Sequence, residues 1–258
     1  MKIILTGSTG FIGAEILTQC IAHSFITHIY VLTRRPLDTQ FSHKKVTQLL
    51  HEDFEKYPEV LLDRLRDEGV QACIWALGGK PEAFKDIDEA RAVGISYPIC
   101  AAEAFAKHLA PALKPYKGYP EKLGPAVGEA GFPFRFVFIS AWGAEHDQFR
   151  KLWMSNDTRK IKGAAEKGLF EVADSSALID GHRCFEAIAL RPGNVLPPGD
   201  ALGTLFAQAV VQACTVDRLA TCALRTSMFG AEGKRVVENK ECLGEEWSLV
   251  NTTVHMGR

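Results

Sequence analysis

Residues 2–13 read Lys2-Ile3-Ile4-Leu5-Thr6-Gly7-Ser8-Thr9-Gly10-Phe11-Ile12-Gly13. A short apolar run reaches glycine at once, which suits a buried strand of a parallel sheet. From Gly10 to His23 the spacing becomes helical, with Ile12, Ile16 and Cys20 on one face and Gly13, Leu17 and Ile21 on the next. A Gly-x-x-Gly-x-x-Gly at such a junction makes a tight turn and permits close helix–sheet packing. It also lets backbone N–H groups at the helix N-terminus approach a pyrophosphate. Gly7, Ser8, Thr9, Gly10, Phe11, Ile12 and Gly13 are therefore the first expected contacts of a dinucleotide.

The same alternation continues outward. Strands are expected at His28–Thr33, Lys45–Leu50, Ala72–Leu77, Phe134–Ser140 and Phe185–Leu190. Helices are expected at Pro58–Glu68, Ala90–His108, Thr158–Ala173 and Ala201–Cys214. Pro111, Pro115, Pro120, Pro125 and Pro133 break the rhythm and mark a long loop or insertion over 110–133. From Arg235 the tail mixes a short strand with loop. Strands alternating with helices give an α/β fold with a parallel sheet covered on both faces. A single domain over 1–258 is expected. Within 196–233, Leu205, Phe206, Val210, Val211 and Phe229 form an apolar set that suits a hydrophobic ligand.

The end of the second strand selects the cofactor. An acid there would bind the adenosine ribose and favour NAD, whereas arginine accommodates a 2′-phosphate. Thr33 is followed by Arg34 and Arg35, with no carboxylate before Asp38. Guanidinium groups grip phosphate bidentately, so NADP(H) is expected over NAD(H). Asp53, after the third strand, is a candidate acceptor for the adenine amino group, or a plain loop acid. Leu77 and Gly78, at the end of the fourth, let the chain pass close to the middle of the cofactor.

Charge and composition exclude several classes. The formal net charge of −1 provides no overall field towards nucleic acid or an anionic membrane. No apolar run of about 18 residues suggests a membrane span, and the N-terminus does not read as a targeting peptide. The seven cysteines are odd in number and scattered, without Cys-x-x-Cys. They imply free thiols in a reducing, cytoplasmic setting, with no metal site.

These features resemble the short-chain dehydrogenase/reductase superfamily in its atypical, NAD(P)-binding branch, and within it the HIV Tat-interacting oxidoreductase family and its fungal-type relatives. The likeness covers most of the chain and implies a doubly wound parallel sheet of Rossmann type with a small C-terminal substrate lobe, to which 196–233 would contribute most. It lies in the glycine turn, in Thr33-Arg34-Arg35, in Phe138-Ile139-Ser140 and in Lys162-Gly163-Ala164-Ala165-Glu166. It continues in Leu190-Arg191-Pro192-Gly193 and Val237-Glu238-Asn239-Lys240-Glu241. The resemblance implies a serine that orients a substrate carbonyl, matched by Ser140. It implies a lysine that binds the nicotinamide ribose, matched by Lys162, and cofactor contacts at Pro192 and Gly193. It also implies a tyrosine four residues before the lysine as the proton donor. Here that position is Thr158, and none of the five tyrosines lies between Ser140 and Lys162.

A threonine hydroxyl is a far weaker acid than a phenol and does not readily replace it. His146 is the foremost substitute, because its ordinary pKa suits proton transfer near neutrality. Glu145, Asp147 and Asp157 come next, followed by Tyr116 or Tyr119 folding over from the insertion. Trp142 and Trp153 are candidate apolar walls. The first functional reading is an NADP(H)-dependent reductase of an apolar carbonyl or conjugated small molecule. It would act as monomer or homodimer, without nucleic acid or membrane partners. A redox-neutral isomerase, cyclase or lyase, or a non-catalytic NADP(H)-sensing regulator, is the alternative.

Overall fold

Seven parallel strands form the central sheet: β1 (Lys2–Thr6), β2 (His28–Thr33), β3 (Val46–Leu50), β4 (Ala72–Trp75), β5 (Phe134–Ile139), β6 (Phe185–Arg191) and β7 (Val236–Glu238). Their spatial order is β3-β2-β1-β4-β5-β6-β7. The structure is a computed structural model and describes residues 1–113, 133–153, 155–179, 181–198 and 213–243. The chain winds one way from β1 through β2 to β3, then returns to the other side of β1 with β4. That reversal is the topological switch point of a doubly wound sheet, where a crevice opens at the carboxyl ends of the strands.

Strand side chains alternate between two faces, and the two faces differ in kind. Phe134, Phe136 and Phe138 of β5 join Trp75, Phe105 and Phe185 in an aromatic core. Helices α2 (Glu59–Asp67), α4 (Tyr97–His108) and α5 (Asn156–Ser175) cover it. The opposite face is aliphatic: Ile3, Leu5, Val31, Ile74, Val137 and Ile188 pack under α1 (Phe11–Ala22) and α6 (Val216–Phe229). Strands buried on both faces explain why each reads as a nearly unbroken apolar run.

A short α3 (Ile87–Arg91) passes through a π-helical turn, Ala92–Ser96, into α4. One further short helix, α7 (Asn239–Leu243), follows β7 directly. The sheet agrees with the sequence reading within a few residues at each strand. One element differs. Residues 216–229, inside the stretch assigned to the substrate lobe, form α6, which seals the aliphatic face of the sheet. Leu219, Ala220, Ala223, Leu224 and Met228 recur at helical spacing and are buried there. Phe229 packs against the same core rather than in a separate lobe. Cys214, expected to end a helix, instead pairs with Val195 in a two-residue parallel bridge. Leu205, Phe206, Val210, Val211 and most of the 201–214 segment lie outside the described residues.

Candidate active site

The glycine turn is shaped by three different contacts. Gly7 has φ +71°, and a Cβ placed there would lie 2.4 Å from the Ala76 carbonyl carbon. β1 can therefore end pressed against the exit of β4, and the Leu77 N–H donates to Thr6 Oγ1 at 3.3 Å across the same junction. A Cβ on Gly13 would fall 2.1 Å from the Gly7 oxygen, so α1 lies directly on the turn. Gly10 is different: its Cβ would meet only the Gly7 oxygen, at 3.3 Å. The missing side chain at Gly10 leaves space towards the crevice rather than towards protein. Gly10 is also the N-cap of α1 and offers no side-chain cap, so the first N–H groups of the helix remain available to an anion.

A cleft of about 530 Å³ runs from this turn past the end of β2 to Leu77 and Gly78. Arg34 and Arg35 line it and are exposed. Neither guanidinium has a carboxylate partner among the described residues. The buried Ser8 Oγ has no hydrogen-bond partner among the described residues. An open glycine, an uncapped helix start, an orphaned hydroxyl and two unpaired cations are the features a dinucleotide phosphate set would satisfy. Phe54 forms part of the cleft wall. Its neighbour Asp53 is turned elsewhere: exposed, it accepts the Glu55 N–H at 3.0 Å and closes its own turn. Phe11, Ile12 and Gly13 sit at the start of α1, where Phe11 is 53% exposed.

The inner end is built around Glu166 of α5, which is wholly buried. Its Oε1 accepts Ser140 Oγ at 2.5 Å and Arg191 Nε at 2.9 Å. Its Oε2 lies 2.7 Å from His146 Nε2 and 2.5 Å from an Arg191 terminal nitrogen. Burial pushes the Glu166 carboxyl up. The hydrogen bonds from Arg191, Ser140 and His146 more than offset this and hold it below the ordinary carboxylate range. Arg191 also reaches Glu238 of β7 at 3.1 Å. The ends of β5 and β6 are thereby tied to α5 through the Glu166 carboxylate, and β7 joins them through Glu238 on Arg191.

Lys162 lies one turn before Glu166 but does not pair with it. Its Nζ donates to the Ile139 carbonyl at 2.8 Å and sits 4.5 Å from the centre of the Phe138 ring. Burial pulls its pKa down to about 8, opposed by the charge of Glu166. With Thr158, Gly78 and Gly79 it encloses a narrow space next to the main cleft, and Gly78 belongs to both.

The structure thus brings together two groups rather than one constellation. Gly7, Ser8, Thr9, Gly10, Arg34, Arg35, Leu77 and Gly78 share the main cleft, and Lys162 stands at its Gly78 wall. Ser140 and His146 converge on Glu166 instead. The Pro192 carbonyl accepts the Trp142 N–H, and the Gly193 N–H donates to Asn239 Oδ1, both at 2.7 Å. Glu145 pairs with Arg150. Asp147 bonds the Phe149 N–H, and Asp157 lies in the first turn of α5. Trp142 is half-exposed with Arg159 over its ring, and Trp153 is fully exposed. Tyr116 and Tyr119 lie outside the described residues. Sequence reasoning missed Arg191 and Glu166 as a hub. The available signal was an acid set between Ala165 and Leu169 on an apolar helix face.

No family model matches the chain. It is 35% identical over 172 residues to the leucinostatins biosynthesis cluster protein T of Purpureocillium lilacinum, covering 67% of this chain and 52% of that protein. It is 33% identical over 110 residues to the mitochondrial protein FMP52 of Debaryomyces hansenii, covering 40% of this chain and 44% of that protein. The chain thus spans about half the length of the curated relatives it matches. Among solved structures it resembles the yeast methylglyoxal/isovaleraldehyde reductase Gre2 complexed with NADPH. That match has a TM-score of 0.61 at 13% identity and covers 92% of this chain and 77% of that one. It also resembles MoeE5 in complex with UDP-glucose and NAD, with a TM-score of 0.60 at 16% identity over 92% and 75% of the two chains. The chain shares with these structures the fold of a doubly wound α/β sheet of Rossmann type. Among the described residues, no helix is long and apolar enough to cross a membrane.

Proposed function

We propose that the protein is an NADP(H)-dependent oxidoreductase of short-chain dehydrogenase type that reduces a small apolar carbonyl or conjugated compound. The observation that carries this reading is the unpaired Arg34–Arg35 couple at the end of β2, on the wall of the cleft that starts at Gly10. The N–H groups of the glycine turn and of the first turn of α1 hold the pyrophosphate, and the two guanidinium groups hold a 2′-phosphate. Reduced nicotinamide supplies a hydride when bound. Lys162 stands where the inner end of the cofactor approaches Gly78. NADPH in the structure of Gre2 and NAD in that of MoeE5 support a nicotinamide dinucleotide, and the choice of NADP(H) rests on Arg34 and Arg35. All seven cysteines are free thiols, which supports a reducing, cytoplasmic setting.

Calorimetric titration with NADPH and NADH tests the cofactor. Binding of NADPH at least tenfold tighter is expected, and equal affinities overturn the preference. Loss of reduced-nicotinamide absorbance with a panel of aldehydes, ketones and enones tests the reaction. One observation favours a second reading. The Ser140 hydroxyl, which the family resemblance makes the carbonyl-orienting group, is donated to Glu166. A redox-neutral isomerase, cyclase or lyase has no need of it in that role. Tight NADPH binding with no consumption across the panel would overturn the reductase reading and leave the redox-neutral enzyme or the non-catalytic NADP(H)-sensing regulator.

A further inference from the structure

Lys162 is the one titratable side chain among the described residues that lines the space beside Gly78 and Gly79. A Cβ built on Gly78 would lie 3.4 Å from Lys162 Nζ, so the amine touches the wall of the main cleft. The residue four places earlier on α5, Thr158, borders the same space but is too weak an acid to release a proton there. Ser140 and His146 are both engaged by the Glu166 carboxylate. We propose that Lys162 is itself the proton donor of this site, its Nζ passing a proton to the oxygen of the substrate carbonyl. This rests on the reductase reading above.

The surroundings of Nζ suit the task. An ammonium has three N–H donors. One bonds the Ile139 carbonyl, the Phe138 ring lies below, and no carboxylate stands within ion-pair distance among the described residues. The groups facing it from β5, from the segment after β4 and from α3 are Ile139, Phe138, Gly78, Gly79 and Ala90, none of them titratable. Glu166 on its own helix is the charged group that acts on it, and that carboxylate is already engaged by three side chains. Burial brings the amine to about 8, where an acid releases its proton readily near neutrality.

The step balances. A hydride brings two electrons to the carbonyl carbon, the C=O π bond breaks towards oxygen, and oxygen takes the proton from Nζ. The neutral amine left behind is reprotonated from solvent. The donor is active only as the ammonium, so turnover should fall about tenfold per pH unit above about 8.

Two measurements test this. Competitive acetylation with trace acetic anhydride, mapped by mass spectrometry, reads the titration of each lysine in the full chain without turnover. Half-maximal reactivity of Lys162 near pH 8 is expected, against about 10.4 for an unperturbed lysine amine. A Lys162 that titrates with the surface lysines overturns the proposal even if NADPH is consumed. Kinetics of Lys162→Met and Lys162→Arg give the second readout. Both should lose at least 100-fold in kcat at saturating NADPH, whatever each does to NADPH Kd, because methionine carries no proton and arginine keeps the charge but holds its proton. Recovery of half the wild-type kcat by Lys162→Arg would reduce Lys162 to a positioning cation and overturn the proposal. NADPH binding without consumption by the wild type, whatever the acetylation result, overturns the reductase reading and the donor role with it.

Discussion

The two ends of the crevice hold their polar groups in opposite conditions. At the β2 end, among the described residues, Arg34 and Arg35 are exposed without acidic partners, Ser8 Oγ is buried without a hydrogen-bond partner, and Gly10 leaves space for a ligand. At the β5–β6 end, Ser140, His146 and Arg191 are satisfied within the protein by one buried carboxylate. Unpaired groups in a cleft gain most when a ligand arrives, whereas groups already paired stabilise the fold. The outer end therefore acts mainly as a binding surface. The inner end is mainly a clamp joining three strand ends to α5, with Lys162 beside it as the cation free of that clamp.

The sharpest way to break this comparison is to remove the clamp. Glu166→Ala leaves the half-buried Arg191 without its carboxylate and Ser140 without its acceptor. A loss of about 3–5 kcal/mol is expected in urea unfolding, the range for breaking a buried ion pair from one side. Glu166→Gln should lose less, since it retains an acceptor. The sign of the pH effect follows from the depressed carboxyl. Its contribution is complete above the unfolded carboxylate value of about 4.3 and is lost as pH falls through the lower folded value. Wild-type stability should thus fall on acidification below that point, and Glu166→Gln should fall less steeply. Identical acid limbs would show that Glu166 is not the clamp.

The glycine turn separates folding from binding within three residues. Gly13→Ala drives a Cβ into the Gly7 carbonyl at 2.1 Å and should lower stability by about 1–3 kcal/mol, as overpacking does. Gly10→Val meets the Gly7 oxygen at 3.3 Å, in an extended backbone that a β-branched residue accepts. Thermal melting should stay within a few degrees of wild type while NADPH binding is lost. Binding retained by Gly10→Val would make the turn a packing device and not a phosphate cradle.

Arg34→Ala sharpens the contrast from the other side. The side chain has no partner among the described residues, so the melting temperature should not change. NADPH affinity should fall by about 1.5–3 kcal/mol, the range for a lost charge-assisted hydrogen bond, with NADH affinity unaffected. Parallel weakening of both cofactors in calorimetry would remove the 2′-phosphate role.

What was legible in the sequence follows the same division. The outer end could be read because its chemistry depends on backbone and on residues close in sequence. Gly7, Gly10 and Gly13 declare a turn, and Arg34–Arg35 directly follow a strand. The inner end depends on contacts across long separations, such as Arg191 with Glu166 and Ser140 with Glu166, which no periodicity encodes. Ser140 and Lys162 were recognisable as residue types at family positions, but their side-chain partners were not. Helix α6 was missed for another reason. Its buried face interleaves Val216, Leu219, Leu224 and Met228 with the polar Thr226 and Ser227, and the more continuous apolar run at 201–214 draws the helix assignment to itself.

Asp53 is the smallest test, and it probes the boundary between those two kinds of legibility. From sequence it stands where an adenine acceptor could be, after the third strand. In the structure its Oδ1 holds the Glu55 N–H and its carbonyl takes the Lys56 N–H at 3.2 Å. Phe54 presents the face of that loop to the cleft, buried between the wall and Trp75. Adenine is therefore expected to meet an aromatic surface at this point rather than a carboxylate. Asp53→Ala removes one exposed turn hydrogen bond, so stability should fall by about 0.5–1 kcal/mol, and NADPH Kd should stay within twofold of wild type. Phe54→Ala should do the reverse in kind, opening the wall and weakening NADPH and NADH alike, since both carry the same adenine. A tenfold loss of affinity in Asp53→Ala would mean that the turn rearranges on binding and the carboxylate reaches the base. The outer end would then share the inner end's dependence on contacts that form only when the site is filled.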